Sequence, residues 1–435
     1  MVKKHGSGTL SRGLRLGKLG LSLTGSYLSY QAQNLIYGET NRVERQRHLH
    51  QQTSRKVKTE LGRLKGAAMK LGQVLSLQTH ALSEEALREL ADLQMRAPAM
   101  HPALTRARFK ACCGKYPEEV FRDFEPAPFA AASLGQVHRA VTRSGKLVAV
   151  KIQYPAIRAS IENDFKLLRT AAFAGRMTGH LPVALLDEIQ RGFLEETDYI
   201  HEGRNLELFR NGLRELSFVE VPKVDWETTN AQVLTMSFVE GETLENFLAG
   251  KPSASLRNLV GERLVNSYYF QLHRLKALHA DQHPGNFLFR KDGSIGLVDF
   301  GCVKRIGFDV SDLIRCCIAR SWRQSDAAAR HVLNMVFGAQ APFSRAKKML
   351  GHLENLAGKL FPEGKKSGQP VDFGDARQLD ILSASLRLAV REKLANPDFA
   401  FISRAELGLF SLLHRLKAQV SPRDIWSRVD NDAPK

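Results

Sequence analysis

The chain has 435 residues and a mass of 48.6 kDa, which predicts two or three lobes rather than one compact core. Hydrophobic residues make up 43% and charged residues 25%, values that exclude wholesale disorder and a fibrous chain. The 63 Lys and Arg outnumber the 45 Asp and Glu, giving a net charge of +18. This excess predicts an acidic partner: a nucleotide, a nucleic acid or a lipid head group. No uncharged apolar stretch reaches about 18 residues, which argues against a membrane-spanning helix.

The cysteines form two adjacent pairs and one single residue, without any C-x-x-C spacing: Cys112, Cys113, Cys302, Cys316 and Cys317. This pattern argues against a zinc site or a disulfide framework and favours a reducing compartment. Near the N-terminus, Arg15 and Lys18 interrupt the apolar residues, which argues against a secretory signal.

The basic excess is concentrated at the N-terminus. Residues 1–70 hold 14 Lys and Arg against three acids, which is +11 of the total +18. The stretch 10–37 mixes leucine and tyrosine with basic residues, a composition typical of an interfacial segment for anionic lipid. A mitochondrial presequence and a solvated basic arm have similar compositions, so both interpretations stay open. Nucleic acid is disfavoured, because no aromatic residues interleave the basic run at 41–70.

From residue 121 onward, most of the predicted strands come before the mainly helical remainder of the chain. The predicted elements are long helices over 41–95, strands at Val137–Val141 and Leu147–Val150 joined by Arg143–Lys146, helical periodicity over 157–213, strands at Val219–Val224 and Gln232–Phe238, and a mainly helical remainder with one hairpin, Phe287–Val298, turning on Asp292 and Gly293. This order predicts an α+β chain in which a small β-rich lobe lies on a larger helical lobe. A ligand is expected in the cleft between such lobes.

Four motifs occur in the order that phosphoryl transfer from ATP requires. The first is Lys151, which ends the apolar strand Val148–Val150 and can hold phosphate oxygens if a carboxylate positions it. The second is H-x-D-x-x-x-x-N, starting at His279, in which Asp281 would accept the substrate proton and Asn286 would bind a metal ion. An ordinary Asx or Pro-Gly turn is the alternative interpretation of this loop.

The third motif is Asp-Phe-Gly at 299–301, which follows the predicted hairpin. Asp299 would bind Mg²⁺, because hard cations prefer oxygen ligands. A second Asp-Phe-Gly at 372–374 serves as a control, since it follows a loop and is predicted to have neither a strand nor a catalytic loop before it. We interpret that second copy as chance.

The fourth motif is an acidic segment, 195–202, predicted as one helix. Glu195, Asp198 and Glu202 would share a face by their i+3 and i+4 spacing, and a carboxylate of this helix would pair with Lys151. A solvated charged face is the common alternative for such a run. The joint occurrence of all four motifs favours the functional interpretation.

The turn between the first two predicted strands departs from the glycine-rich loop of protein kinases. It reads Ala130-Ala131-Ala132-Ser133-Leu134-Gly135-Gln136. Alanine carries a Cβ atom and resists positive φ, so this loop is not expected to cradle phosphate as a glycine-rich loop does. No A-P-E motif follows Asp299, which makes docking of a protein substrate doubtful.

With these motifs in place, the sequence resembles the UbiB/ADCK family of atypical kinases, which is associated with ubiquinone biosynthesis. The similarity covers about 10–420 and depends on K-x-G-Q at 70–73, the alanine-rich segment 128–138, and E-x-D at 196–198 with Glu202. It implies a bilobal protein-kinase-like fold with an N-terminal helical extension over the active site. Two departures, Gln282 where the family usually has Pro and Gly203 where it often has Ala, are expected to add backbone freedom.

The resemblance also implies a set of site residues. Asp281 would be catalytic, and Asn286 and Asp299 would bind Mg²⁺. ATP would be bound by Lys151, Ala130, Ala131, Ala132, Ser133 and Glu202, while Lys70, Gly72, Gln73, Glu196 and Asp198 would regulate or occlude the site. Whether Lys151 pairs with Glu202 or with Glu196 stays open, and Glu202 is preferred.

We therefore expect an atypical kinase or ATPase that uses Mg-ATP and supports quinone synthesis at an anionic or quinone-containing membrane surface, with protein partners from that process. The alternatives are a small-molecule phosphotransferase of the aminoglycoside/choline-kinase type and a nucleotide-binding pseudokinase scaffold. The expected location is cytoplasmic, peripheral on the inner face of a bacterial membrane, with the mitochondrial matrix as the alternative. The expected divisions are a basic extension (1–60), a helical K-x-G-Q element (61–120), an N-lobe (121–238) and a C-lobe (239–435).

Overall fold

A computed structural model describes residues 100–431 except 133, 174–182, 340–341, 348, 364–368, 378–379 and 381–396. The described residues group into two compact units. The first comprises 100–200 and 225–235, and the second 201–224 and 236–431. Residues 201–224 thus group with the second unit, and the predicted four-part division of the chain stays a prediction.

The first unit consists of a small sheet, in which β1 to β4 pair antiparallel, and of helices that precede and follow these strands in the sequence. Its elements are α1 (Pro102–Cys113), α2 (Pro117–Val120), β1 (Asp123–Phe124), β2 (Ala130–Ala132), β3 (Gly135–Val141), β4 (Leu147–Gln153), α3 (Ile157–Phe173), α4 (Val183–Glu196) and the first residues of β6 (Val233–Ser237). The strand order is β1-β3-β4-β6, and β2 pairs with β3.

The β3–β4 hairpin is the centre of this sheet. Its register runs from Gly135 opposite Gln153 to Val141 opposite Leu147, and its turn is closed by Thr142 N–H donating to Lys146 O (2.9 Å). Gly145 has a φ of +86° in that turn, a conformation that glycine adopts at little cost. The predicted hairpin is therefore confirmed.

One face of the sheet is buried against α1. The core on this side contains aromatic side chains from α1 and from the segment that ends in β1, together with β-branched side chains at alternate positions of β4. They include Phe109, Phe121, Phe124, Val150 and Ile152, and the three phenylalanine rings lie within 6.2 Å of one another.

The second unit is mainly helical. Its elements are α5 (Tyr199–Gly212, which begins at the last two residues of the first unit), β5 (Val219–Glu220), α6 (Leu244–Ala249), α7 (Ala254–Phe270), a π-helical turn (Gln271–Leu275), β7 (Ala277–His279), a 3-10 turn (Pro284–Asn286), β8 (Phe287–Phe289), β9 (Ile295–Leu297), β10 (Val303–Arg305), α8 (Val310–Ala319), a 3-10 turn (Ser321–Arg323), α9 (Asp326–Phe337), α10 (Phe343–Lys347), α11 (Leu350–Leu360), β11 (Val371–Asp372), α12 (Pro397–Leu416), β12 (Gln419–Val420) and α13 (Pro422–Asn431).

Short strand pairs position the loops of this unit. β8 and β9 form the predicted hairpin, closed by Gly293 at a φ of +79°, and β5 joins β9 in parallel. β7 pairs antiparallel with β10, so that His279 lies opposite Val303. These pairings place the ends of β7 and β9 beside each other, where the predicted catalytic residues follow.

The α+β kinase-like fold predicted from the sequence is confirmed by this element order and by the structural comparison below. Among the residues described, no helix is both long enough and apolar enough to cross a bilayer. The predicted helices over 41–95 and the rest of the N-terminal extension lie outside the described residues.

Candidate functional site

The predicted catalytic loop starts where β7 ends and closes with a 3-10 turn. His283 caps that turn, because its Nδ1 accepts a hydrogen bond from Gly285 N–H (3.1 Å). Asn286 donates from Nδ2 to the Asp281 carbonyl oxygen (2.9 Å) and to Asp281 Oδ2 (3.3 Å). The side chains proposed to take a proton and to bind a metal ion are therefore in direct contact. The amide orientation leaves Asn286 Oδ1 as the oxygen that a cation can use.

Asp299 follows β9 and lies next to this loop. Val298 N–H donates to the Asn286 carbonyl (3.2 Å), and His279 donates from Nε2 to the Asp299 carbonyl. Gly301 N–H donates to Asp299 Oδ1 (3.0 Å), which fixes the carboxylate direction. The structure thus brings Asp281, Asn286 and Asp299 together, as the sequence predicted.

Helix α5 holds the residue after Asp299. Phe300 is fully buried, with its ring 5.0 Å from the Phe209 ring and 5.1 Å from the His279 ring. Glu202 Oε1 accepts a hydrogen bond from Phe300 N–H (3.4 Å), and Asn205 Nδ2 donates to Phe300 O (3.1 Å). Glu202 therefore supports the Asp-Phe-Gly segment itself. Its predicted pairing with Lys151 stays a prediction.

The control copy of Asp-Phe-Gly corrects one expectation. Asp372 was predicted to have no strand before it, yet Val371–Asp372 is β11 and pairs with β12. Gly374 N–H donates to Asp372 Oδ1 (2.8 Å), and Phe373 is buried, so this copy forms the same local turn as Asp299. The turn follows from the short Asp side chain bonding two residues ahead. The two copies differ in their surroundings, because Asp299 follows a residue bonded to the H-x-D-x-x-x-x-N loop, whereas Asp372 pairs with Gln419 of β12.

Arg404 is a site residue that the sequence analysis missed. It lies on α12, and its Nη2 is 3.5 Å from Asp281 Oδ1. Both side chains are partly shielded, at 26% and 33% exposed. The two residues are 123 positions apart, and no motif in the sequence connects α12 to the loop.

Gln282 was expected to add backbone freedom to the loop, but the structure shows it held in place. Its side chain is buried and donates from Nε2 to the His279 carbonyl (2.7 Å), which ties the loop back to the end of β7. Gly408 of α12 packs directly on it, since a Cβ atom there would lie 2.8 Å from Gln282 Cβ. A side-chain hydrogen bond and close packing thus constrain the position where the family usually has Pro.

Lys151 belongs to the first unit and lies on β4 opposite Val137. It is 6% exposed, and its ammonium lies 5.1 Å from the centre of the Tyr199 ring. A desolvated ammonium over an aromatic face gains on the order of 2 kcal/mol. This contact keeps the lysine in a fixed position within its unit.

The predicted alanine-rich loop is largely strand, which corrects the expectation. Ala130, Ala131 and Ala132 form β2 and pair with Val137, Gln136 and Gly135. Alanine readily takes extended backbone, whereas a wide phosphate-binding loop needs positive φ. Gly135 is required by close packing, because a Cβ atom would lie 2.3 Å from Ile152 O and 2.9 Å from Tyr199 Oη.

The predicted acidic helix over 195–202 is also corrected. Helix α4 ends at Glu196, and α5 begins at Tyr199. Thr197 Oγ1 donates to Leu194 O (2.7 Å), and Asp198 Oδ1 accepts from Ile200 N–H (3.0 Å). These local bonds end one helix and cap the next, so the i+3 and i+4 argument for a shared face does not apply.

Gln136 and His138, which are part of the alanine-rich segment of the family, form a buried polar network. Gln136 accepts from Met100 N–H (2.8 Å) and donates to Thr105 Oγ1 (2.9 Å) and to His138 Nε2 (2.7 Å). His138 Nδ1 bonds to Glu125 O (2.9 Å). Burial lowers the pKa of His138, and the bond to Glu125 opposes that effect. The network fastens β3 to α1 and does not need a ligand to be satisfied.

The remaining predicted site residues, Lys70, Gly72, Gln73 and Ser133, lie outside the described residues. Their roles stay predictions, as do the nucleotide-binding roles of Ala130–Ala132.

Comparisons with known proteins agree with this arrangement. Residues 92–332 match the model of the ABC1 atypical kinase-like domain. The chain is 32% identical over 267 residues to a chloroplastic protein of Arabidopsis thaliana, Activity of BC1 Complex Kinase 7, covering 60% of this chain and 38% of the relative. It is 31% identical over 264 residues to AarF domain-containing protein kinase 1 of Mus musculus, covering 60% and 50%. This chain thus spans half or less of the length of these two relatives.

Among solved structures, the chain resembles Rv3197 of Mycobacterium tuberculosis, solved in complex with erythromycin. The TM-score is 0.60 at 25% sequence identity, covering 89% of this chain and 97% of that one. The matched domain covers more than half of the sequence, including both Lys151 and the Asp281–Asp299 segment. The chain therefore belongs to the ABC1 family of atypical kinase-like proteins, the UbiB/ADCK group that its motifs resemble.

Proposed function

We propose that this protein binds Mg-ATP and transfers its γ-phosphoryl group to water or to a small hydroxyl compound. The observation that carries the proposal is the contact between Asp281 and Asn286 with Asp299 adjacent, formed by two loops that the β7–β10 and β8–β9 pairings bring together. Kinase-like proteins as a group use ATP and divalent cations at such a pair of loops. The oxygen donors here fit that chemistry.

Each side chain has a defined task in the proposed reaction. Asp281 accepts the proton of the attacking hydroxyl while a new oxygen–phosphorus bond forms and the bond to ADP breaks. Asn286 Oδ1 and the Asp299 carboxylate would hold Mg²⁺, which supplies charge neutralisation on the phosphates. Arg404 holds Asp281 in place through the contact between Nη2 and Oδ1. The role of Lys151 as a phosphate ligand is supported by the family pattern.

We further propose that the protein works at an anionic or quinone-containing membrane surface and supports isoprenoid-quinone synthesis. The +11 charge of residues 1–70 and the family resemblance support this assignment. Binding to vesicles with and without anionic lipid, compared between the full chain and a variant lacking the predicted basic extension, residues 1–60, tests it. Equal binding of both proteins to anionic vesicles would contradict it.

The catalytic part is tested by steady-state ATP turnover of the full chain with Mg²⁺. Asp281→Asn should lower turnover by about 100-fold or more, in line with loss of general-base catalysis, while Mg-ATP affinity stays within a few-fold. Asp424→Asn, a surface change in the first turn of α13, is the matched control and should leave turnover unchanged. Wild-type turnover in Asp281→Asn would contradict the assignment. Nucleotide binding without turnover in the wild type would favour a scaffold.

A further inference from the structure

Three side chains of different chemistry meet between helices α8 and α9. Asp312 and Cys316 lie one turn apart on α8, and His331 reaches them from α9. His331 Nε2 is 2.6 Å from Asp312 Oδ2, and Cys316 Sγ is 3.9 Å from Asp312 Oδ1. The candidate ligand atoms of all three residues lie within 4.8 Å of one another.

The spacing of these atoms suits a divalent metal ion. With metal–ligand bonds of about 2.0–2.3 Å, the donors of a tetrahedral zinc site lie roughly 3.3–3.8 Å apart. The two measured separations, 2.6 Å and 3.9 Å, lie just below and just above this range. A set of ligands made of a thiolate, an imidazole and a carboxylate binds Zn²⁺ in preference to Mg²⁺ or Ca²⁺.

The surroundings of the three residues support the same conclusion. Cys316 is almost buried, whereas the Asp312 and His331 side chains are 38% and 58% exposed, so an ion can enter from solvent and reach the sulfur. A metal ion that binds a thiol deprotonates it outright.

We propose that Asp312, Cys316 and His331 form a Zn²⁺ site with three protein ligands and a fourth position open to water or another small ligand. The ion would join α8 to α9 and would share no ligand with the loops proposed to bind Mg-ATP. The alternative is a surface His–Asp ion pair beside an uninvolved thiol, which predicts no dependence on metal. The absence of C-x-x-C does not exclude such a site, because its ligands would be D-x-x-x-C and a histidine 15 positions later.

Cobalt substitution of the full chain tests the proposal, because a thiolate bound to Co²⁺ gives a near-ultraviolet charge-transfer band. We expect one equivalent of Co²⁺ to produce the band and Zn²⁺ to displace it. Cys316→Ser should abolish it, and His331→Gln and Asp312→Asn should weaken Co²⁺ binding at least about tenfold, since loss of even an outer-shell partner costs 10–100-fold. Cys112→Ser, in the first unit, is the control and should retain the band.

Thermal unfolding provides a second readout that does not depend on the spectrum. Zn²⁺ should raise the thermal unfolding midpoint of the wild type, and EDTA should reverse this rise. The rise should be absent in His331→Gln. Because His331 is exposed, this variant is expected to fold. A wild type without a charge-transfer band would overturn the proposal. A band that persists in Cys316→Ser, or unchanged Co²⁺ affinity in His331→Gln, would overturn it as well.

Discussion

Arg404 Nη2 lies 3.5 Å from Asp281 Oδ1, although 123 residues separate the two in the chain. The contact connects α12 to the loop that carries the proposed catalytic base. An arginine in this position keeps the carboxylate in one orientation and adds a fixed positive charge beside it. The late helix α12 therefore belongs to the functional site, although it lies beyond residues 92–332 of the matched domain.

Replacing Arg404 should separate catalysis from binding. In Arg404→Gln, we expect ATP turnover to fall about tenfold or more, because Asp281 loses its positioning partner, with little change in Mg-ATP affinity. The matched control is Arg415→Gln on the same helix, which removes a surface pair with Glu245 and should leave turnover unchanged. Arg404→Lys should recover part of the loss. Equal turnover in wild type and Arg404→Gln would remove Arg404 from the site.

Gly408 should not tolerate even the added methyl group of alanine. In Gly408→Ala the added methyl group meets Gln282 Cβ at 2.8 Å and Gln282 O at 3.0 Å, so the catalytic loop must shift. We expect a loss of about 1–3 kcal/mol in the free energy of unfolding, together with reduced turnover. Gly358→Ala, on α11 with no atom within 4 Å, should instead be neutral or stabilising by about 1 kcal/mol. Denaturant unfolding and turnover measurements distinguish the two, and similar behaviour of both variants would refute the packing argument.

Gly135, in the first unit, should also not tolerate substitution by alanine. Its substitution by alanine brings Cβ within 2.3 Å of the Ile152 carbonyl, which neither backbone can avoid without separating β3 from β4. We expect Gly135→Ala to lower the free energy of unfolding by about 3 kcal/mol or more, since a backbone atom cannot move aside as a side chain does. Gly192→Ala in α4, where no atom lies within 4 Å, is the control. A Gly135→Ala variant that unfolds like the wild type would show that the hairpin is packed differently.

Glu406 gives the second unit a pH-dependent stability. Burial raises the pKa of Glu406 to about 7, and the neighbouring Tyr268 hydroxyl opposes this rise. A carboxyl whose pKa is higher in the folded state destabilises folding progressively as the pH rises from about 4.5 to about 7, and a shift of this size amounts to roughly 3 kcal/mol. Glu406→Gln should therefore be more stable than the wild type at pH 8, and the difference should shrink toward pH 5. Thermal melts at both pH values measure it, and a constant difference would rule out this titration.

The sequence predicted correctly those features that depend on short motifs and turn residues. The hairpin at Asp292 and Gly293 depends on a turn signal, and the convergence of Asp281, Asn286 and Asp299 depends on motifs with fixed spacing. The break at Thr197 was missed because side-chain capping competes with helix periodicity over a few residues.

The sequence motifs could not predict contacts between residues that are far apart in the chain. Arg404 meets Asp281 only because α12 packs on the catalytic loop through Gly408, and no spacing rule encodes a contact across 123 residues. The proposed zinc ligands were missed for the same reason, since His331 lies on a different helix from Asp312 and Cys316. The extent of strand in 130–136 was missed because an alanine run is compatible with both loop and strand.

The most direct test of the central claim is thermal unfolding of the full chain with and without Mg-ATP. Ligand at about 100 times its Kd stabilises by about 2.7 kcal/mol, which should raise the midpoint of the wild type by several degrees only when Mg²⁺ is present. The account predicts that Asp299→Asn abolishes this rise, while Asp372→Asn, which alters the same local turn in the second Asp-Phe-Gly, retains it. No Mg²⁺-dependent rise in the wild type, or an unchanged rise in Asp299→Asn, would contradict the proposed nucleotide site.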